Sequence, residues 1–136
     1  MGPRRVVPLL LAALSGCTLF AIGAVDLAVR QYQDGTATQD YFASPQDTWD
    51  ATREEMIEQE IDFNHDFAFN AEEGARIPFR GGWVDIRYHP QDERYTRLRA
   101  RFNADESRIR RRQRAFSILD GVDARLGGAG SPVMNR

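Results

Sequence analysis

The chain has 136 residues with 18 basic side chains, every one of them Arg, against 20 acidic ones, for a formal net charge of −2. That length leaves room for one small domain and not two. A single cysteine rules out an intrachain disulfide, so the domain must be held by its core alone.

The first element is a leader. Arg4 and Arg5 precede an apolar run from Val6 to Leu14, interrupted only by Pro8, and Leu14-Ser15-Gly16-Cys17 closes it. Basic residues hold the cytoplasmic side, and the apolar stretch has the length of a secretory h-region. The arrangement resembles the lipobox of bacterial lipoproteins. Leu14, Ser15 and Gly16 would then be the recognition residues of the signal peptidase, 1–16 the signal peptide, and Cys17 the lipidated first residue. The competing reading is an uncleaved helix, because apolar character continues to Val25, about the span of a bilayer core. Pro8, Gly16 and Gly23 weaken that helix without excluding it.

Residues 17–35 read as a lipidated tether ending in Gly35, followed by a domain over 36–126. Thr36 to Ala43 is β-prone and roughly alternating, a first strand. Ser44-Pro45-Gln46-Asp47 is a helix start, with Ser as N-cap, Pro at the first helical position and an acid in the first turn. The helix runs to about Gln59, with Trp49, Thr52, Met56 and either Glu60 or Ile61 inward, and Arg53, Glu54, Glu55 and Glu58 outward. Ile61, Phe63, His65, Phe67 and Phe69 recur at every second position and predict a strand with one apolar face. Arg76 to Arg80 is a short or edge strand, since Pro78 lacks an amide donor. Gly81-Gly82 supplies a tight hairpin turn.

On the next strand Val84, Ile86 and Tyr88 point one way and Trp83, Asp85, Arg87 and His89 the other. After a turn at Pro90 to Glu93, Thr96, Leu98, Ala100 and Phe102 face inward and Tyr95, Arg97, Arg99 and Arg101 outward. A closing helix with its N-cap between Asn103 and Asp105 buries Ile109, Phe116, Leu119, either Val122 or Asp123, and Leu126, and Gly127-Gly128 ends it. Residues 127–136 are predicted to be a disordered tail. This order predicts an α+β fold: a small antiparallel sheet of about four strands with two helices on one face.

Several of these residues, in order, resemble a further family. They are Leu14-Ser15-Gly16-Cys17, the small residues Ala21 to Ala24, Gly35, Tyr41-Phe42-Ala43-Ser44 and Asp47-Thr48-Trp49-Asp50-Ala51-Thr52. Leu98 to Phe102 and Asp105-Glu106-Ser107 echo its close. The set is similar to the short bacterial lipoproteins grouped as domain of unknown function 3568, over about 14 to 126. The resemblance implies an envelope lipoprotein with a compact α+β domain, and no reaction, cofactor or catalytic residue. Thr18 rather than Asp after Cys17 points to the periplasmic face of the outer membrane.

Charge is unevenly placed. Residues 17–93 carry sixteen acids and five Arg, whereas 94–114 carry nine Arg and two acids. Export argues against nucleic acid as the partner of that basic stretch and leaves internal complementarity or an anionic envelope component. Trp83, Arg87, Tyr95, Arg97, Arg99 and Arg101 form the candidate binding surface, suited to a sugar ring or a protein partner. His65 with Asp66, and His89, are the histidine-centred groups, but their spacing matches no recognised ligand set, so neither metal nor cofactor is expected. His65, on the Phe-bearing face, is read as a partly buried core imidazole. Ser44 and Ser107 are helix-start residues rather than nucleophiles.

The expected function is therefore a non-enzymatic envelope lipoprotein, bound to the membrane through Cys17, that binds or scaffolds an envelope component. Two alternatives remain at this stage. One is an accessory subunit of an inner-membrane complex, held by a single uncleaved helix. The other is a small periplasmic metal-binding hydrolase centred on His65 and His89.

Overall fold

The computed structural model describes residues 27–103 and 107–129. The lipobox, Cys17 and the tail beyond 129 lie outside them. Among the described residues five antiparallel strands and two helices make an α+β fold: β1 (Gln31–Gln33), β2 (Thr36–Tyr41), α1 (Pro45–Glu58), β3 (Ala75–Phe79), β4 (Gly82–Tyr88), β5 (Thr96–Phe102) and α2 (Arg108–Arg125). The sheet runs β1-β2-β5-β4-β3, so β5, last in sequence, sits at its centre. Pro78 lies on the edge strand β3, where a missing donor costs no internal ladder bond.

Alternation along the strands decides the two faces. Ala37, Tyr41, Ile77, Val84, Ile86, Leu98, Ala100 and Phe102 point to one side and are buried against Trp49 and Met56 of α1 and Ala115, Ile118, Leu119 and Val122 of α2. Both helices therefore cover this face. The Tyr41 phenol donates to the Leu119 carbonyl at 2.8 Å, tying β2 to α2. Burial, with Asp123 and Asp120 adding to it, pushes that phenol well above its ordinary pKa.

The structure departs from expectation in several places. The tether region 17–35 contains β1: Asp34 and Gly35 both have positive φ, 53° and 82°, as a two-residue hairpin turn demands. The sheet gains a strand by this. The Phe-rich segment 61–69 is not a strand, and its one ladder contact is the bridge between Phe63 and Phe79. Its rings gather instead around Trp49, with Phe63, Phe67 and Phe69 centroids 6.3, 5.9 and 5.8 Å away. Alternating Phe residues thus bury themselves against a helix flank without pleating. The β3–β4 hairpin turns on Arg80-Gly81, and Gly82 opens β4.

Helix α2 begins later than expected, with Ser107 as N-cap accepting from the Arg110 amide at 3.2 Å. Ile109, expected inward, precedes the buried stripe and is 71% exposed. Glu55, expected outward on α1, is buried. It accepts from Arg125 Nε at 3.1 Å, and Arg125 Nη2 donates to Glu58 at 3.0 Å, so the two helices are joined by charge as well as by core. Gly121 makes this possible, because a Cβ there would lie 2.0 Å from the Glu55 carboxyl carbon.

Candidate functional site

The sheet face turned away from the helices carries the arginines. Register sets them in rows. Arg76, Asp85, Arg99 and Thr38 are consecutive partners across β3, β4, β5 and β2; Arg87, Arg97 and Asp40 form a second row; Trp83, Arg101 and Thr36 a third. Five guanidinium groups thus share one surface with two carboxylates.

Both carboxylates are buried although they point away from the core, Asp40 fully and Asp85 at 1% exposure. Burial of a charge is tolerated only where partners replace water. Asp85 accepts from Arg87 Nε at 2.6 Å and Nη2 at 2.9 Å and from Arg76 Nε at 3.3 Å, with Arg99 Nη2 at 3.5 Å. Hydrogen bonding to Asp85 raises the pKa of Arg87 further above its ordinary value. Asp40 accepts from Arg97 Nε at 2.8 Å and Nη2 at 3.0 Å and from the Ala28 amide at 2.6 Å. In each side-on, two-point pair the guanidinium plane is fixed, which a lysine ammonium would not achieve.

His89 lies beneath this layer. Placed outward by alternation, it is instead 3% exposed, with Nε2 3.6 Å from Asp40 Oδ2. Its Nδ1 accepts from the Gln91 amide at 3.0 Å, which puts the ring proton on Nε2, toward the carboxylate. His65 is corrected the other way: expected partly buried, it is exposed, its ring 4.5 Å from Phe63. The two histidines belong to different layers. Among the described residues no group of three or more His, Cys, Asp or Glu is placed to hold a metal ion.

The sequence-derived surface divides in three. Arg87, Arg97 and Arg99 converge, and with Tyr88 and Pro90 they line a shallow cavity of about 220 Å³. Trp83 and Arg101 are direct partners at one end of the face, but Trp83 is capped by Arg76, whose Cζ lies 3.7 Å from the ring centroid. Arg76 therefore occupies one face of that indole, where a sugar ring would stack. Tyr95 stands at the other end, about 20 Å along the strands, edge-on to Phe42 at 5.3 Å. Arg101 donates to the Asp34 carbonyl and, at 3.0 Å, to Asn103, so it also braces the β1–β2 turn. Asp40 and Arg76 are the site residues that alternation alone did not single out. Their signal was charge complementarity between strands that are distant in sequence.

This arrangement can hold an anion. It presents no nucleophile beside a base, and its carboxylates are engaged with arginine. No protein-family model matches the chain, and no curated protein matches it significantly. Among the described residues no helix is long and apolar enough to cross a membrane.

Proposed function

We propose that this chain is a lipoprotein of the bacterial envelope, anchored through lipid on Cys17 at the periplasmic face of the outer membrane. Its domain is a non-enzymatic docking module for an anionic envelope component. One observation carries the reading: the open sheet face sets Arg76, Arg87, Arg97, Arg99 and Arg101 against only Asp40 and Asp85. The carboxylates orient the guanidinium groups and leave an excess of positive charge around the cavity between Arg87, Arg97 and Arg99. A surface organised before its ligand arrives loses little entropy on binding.

Two measurements test this. Mass spectrometry of the native protein should find a chain beginning at Cys17 with a diacyl or triacyl addition; an intact Met1 with an unmodified thiol would return the accessory subunit with an uncleaved helix. In-cell crosslinking from position 83 should capture an anionic envelope molecule, and the yield should fall at least tenfold in Arg99→Gln, which leaves Asp85 its bonds from Arg87 and Arg76. Equal yields would remove the sheet face from the account.

A further inference from the structure

A second basic surface lies where β1 meets the first turns of α2, touching the arginine rows of the sheet only at Arg101. Tyr32 and Phe116 pack with ring centroids 5.8 Å apart. Arg30 Cζ lies 4.8 Å from the Phe116 centroid, and Arg112 Cζ 5.2 Å from it and 5.8 Å from that of Tyr32. Ile109 stands beside them at 71% exposure. Tyr32, Arg108, Ile109 and Arg112 line one shallow cavity.

Part of the patch serves the fold: Tyr32 and Phe116 pack against the core, and Arg30 pairs with Asp120 at 2.6 Å. Ile109 contributes nothing to the core, while Ile118, Leu119 and Val122 on the same helix are fully buried. The first turn of α2 holds no acid. Arg108, Arg110, Arg111, Arg112 and Arg114 crowd the end of a helix where the backbone dipole is already positive. An exposed isoleucine and an arginine cluster set against its own helix dipole break local rules, which marks a surface kept for something outside the domain.

We infer that this surface rests on the phosphate-bearing headgroups of the membrane that anchors the chain. Three observations select that occupant. The arginines complement anionic headgroups. An exposed Ile next to two aromatic rings and flanked by Arg is the pattern of a helix lying in the membrane interface, its apolar side chain dipping below the phosphates. The chain also enters the fold here: Arg30 and Tyr32 follow Cys17 by thirteen and fifteen residues, a reach of at most about 45 to 55 Å when fully extended. The contact presupposes the membrane tether proposed above. With the patch on the bilayer, it gives the domain one preferred orientation, and the sheet face keeps its own partner.

The test uses the full-length protein with an environment-sensitive fluorophore at Gln113→Cys, an exposed position one turn beyond Ile109. A second variant, Glu72→Cys, places the label before β3, at the opposite sheet edge, as the control. With Cys17 blocked by lipid, each variant takes one label. The protein is reconstituted into phosphatidylcholine vesicles with or without about one third phosphatidylglycerol, each doped with a headgroup-nitroxide lipid. Expected is quenching at 113 at least threefold stronger in the anionic vesicles. It should be reversed by high salt and lost in Arg108→Gln/Arg112→Gln, with the label at 72 unquenched throughout. Equal quenching at 113 in both vesicle types, or equal quenching at 113 and 72, overturns the inference. A second label per chain reports a free Cys17 and hence failure of the tether reading. Cys17→Ser then restores single labelling, and the signal at 113 still decides the contact.

Discussion

On the open sheet face, Asp85 gathers guanidinium groups from three strands and Asp40 clamps a fourth, whereas α2 opens with five arginines between 108 and 114 and no acid in its first turn. Both regions are arginine-rich, yet they stand in opposite relation to the fold. The sheet arginines are ligands of buried carboxylates, so removing either side exposes an unpaid electrostatic debt. Those of α2 work against the dipole of their own helix. Arginine count alone does not distinguish the two; the placement of the acids does. Arg125, at the other end of α2, confirms the rule from within one helix: there the dipole favours a cation, and Glu55, Glu54 and Glu58 surround it. Its pKa is raised accordingly, hydrogen bonding to Glu55 being the main cause.

The largest effect should come from the sheet. Asp40→Ala leaves Arg97 and the Ala28 amide without their shared acceptor in a buried site, and a broken buried ion pair typically costs about 3–5 kcal/mol. For a domain of this size that approaches the whole stability. Urea unfolding should show the midpoint collapse with Asp40→Ala, and Arg97→Met added to it should recover part of the loss. A loss of under about 1 kcal/mol would mean that the carboxylate is not integral to the fold and would erase the distinction drawn above.

Next in size is the helix pair. In Gly121→Ala the new methyl meets the Glu55 carboxylate, which must swing away from Arg125. Overpacking of this kind costs about 1–3 kcal/mol, measurable as a lower melting temperature. Glu55→Gln/Gly121→Ala should not recover it, since the amide fills the same space. The opposite sign is expected at the start of α2. Arg110→Glu places an anion at the positive end of the helix and should stabilise the domain by about 0.3–1 kcal/mol, an effect that salt diminishes. If Arg110→Glu destabilises instead, the α2 arginines belong to the fold as those of the sheet do.

Much of this organisation was legible from residue order. Ser44-Pro45 and Asp47 specified α1 to the residue, because capping is local chemistry and the Asp47 amide does bond Ser44 Oγ at 3.0 Å. Period-two alternation placed Thr96, Leu98, Ala100 and Phe102 inward and the intervening arginines outward. The failures have physical causes. The Phe alternation at 61–69 looked like a pleat, but alternate apolar positions also suit an extended loop laid against Trp49, and periodicity does not report whether a ladder partner exists. Asp34-Gly35 was a hairpin signal overlooked beside the weak strand Gln31–Gln33, which carries one aromatic and two glutamines. Outward was equated with wet. Asp85 and His89 show the error, since neighbouring guanidinium groups can cover a small acid as completely as a core does. That covering depends on which strands are neighbours. The hairpin turns at Gly81-Gly82 and after Pro90 already set Asp85 between its neighbouring strands, but the β2–β5 pairing that brings Asp40 beside Arg97 needs the structure.

Arg94 offers the finest division between the two arginine populations. It lies in the β4–β5 turn, 72% exposed, and donates to Asp92 through Nε at 3.0 Å and Nη2 at 2.7 Å. Its geometry matches the sheet pairs while its solvation matches the start of α2. The side-chain hydrogen bond from Arg94, with the Arg94 amide second, lowers the Asp92 pKa from 3.8 to about 2. A carboxyl depressed in the folded state adds stability above its unfolded pKa and loses it as pH falls toward the folded one, so this pair is at full strength above pH 4 and gone near pH 2. Titration followed by NMR should place Asp92 near 2 in the natural chain and higher in Arg94→Ala, still below 3.8 because the amide of residue 94 is kept, while the urea midpoint at pH 7 barely moves, as for most exposed pairs. A large drop in that midpoint would show that side-on pairing stabilises this fold even without burial. The contrast between sheet and helix would then rest on the presence of a carboxylate alone, and the depth at which Asp40 and Asp85 lie would be incidental to it.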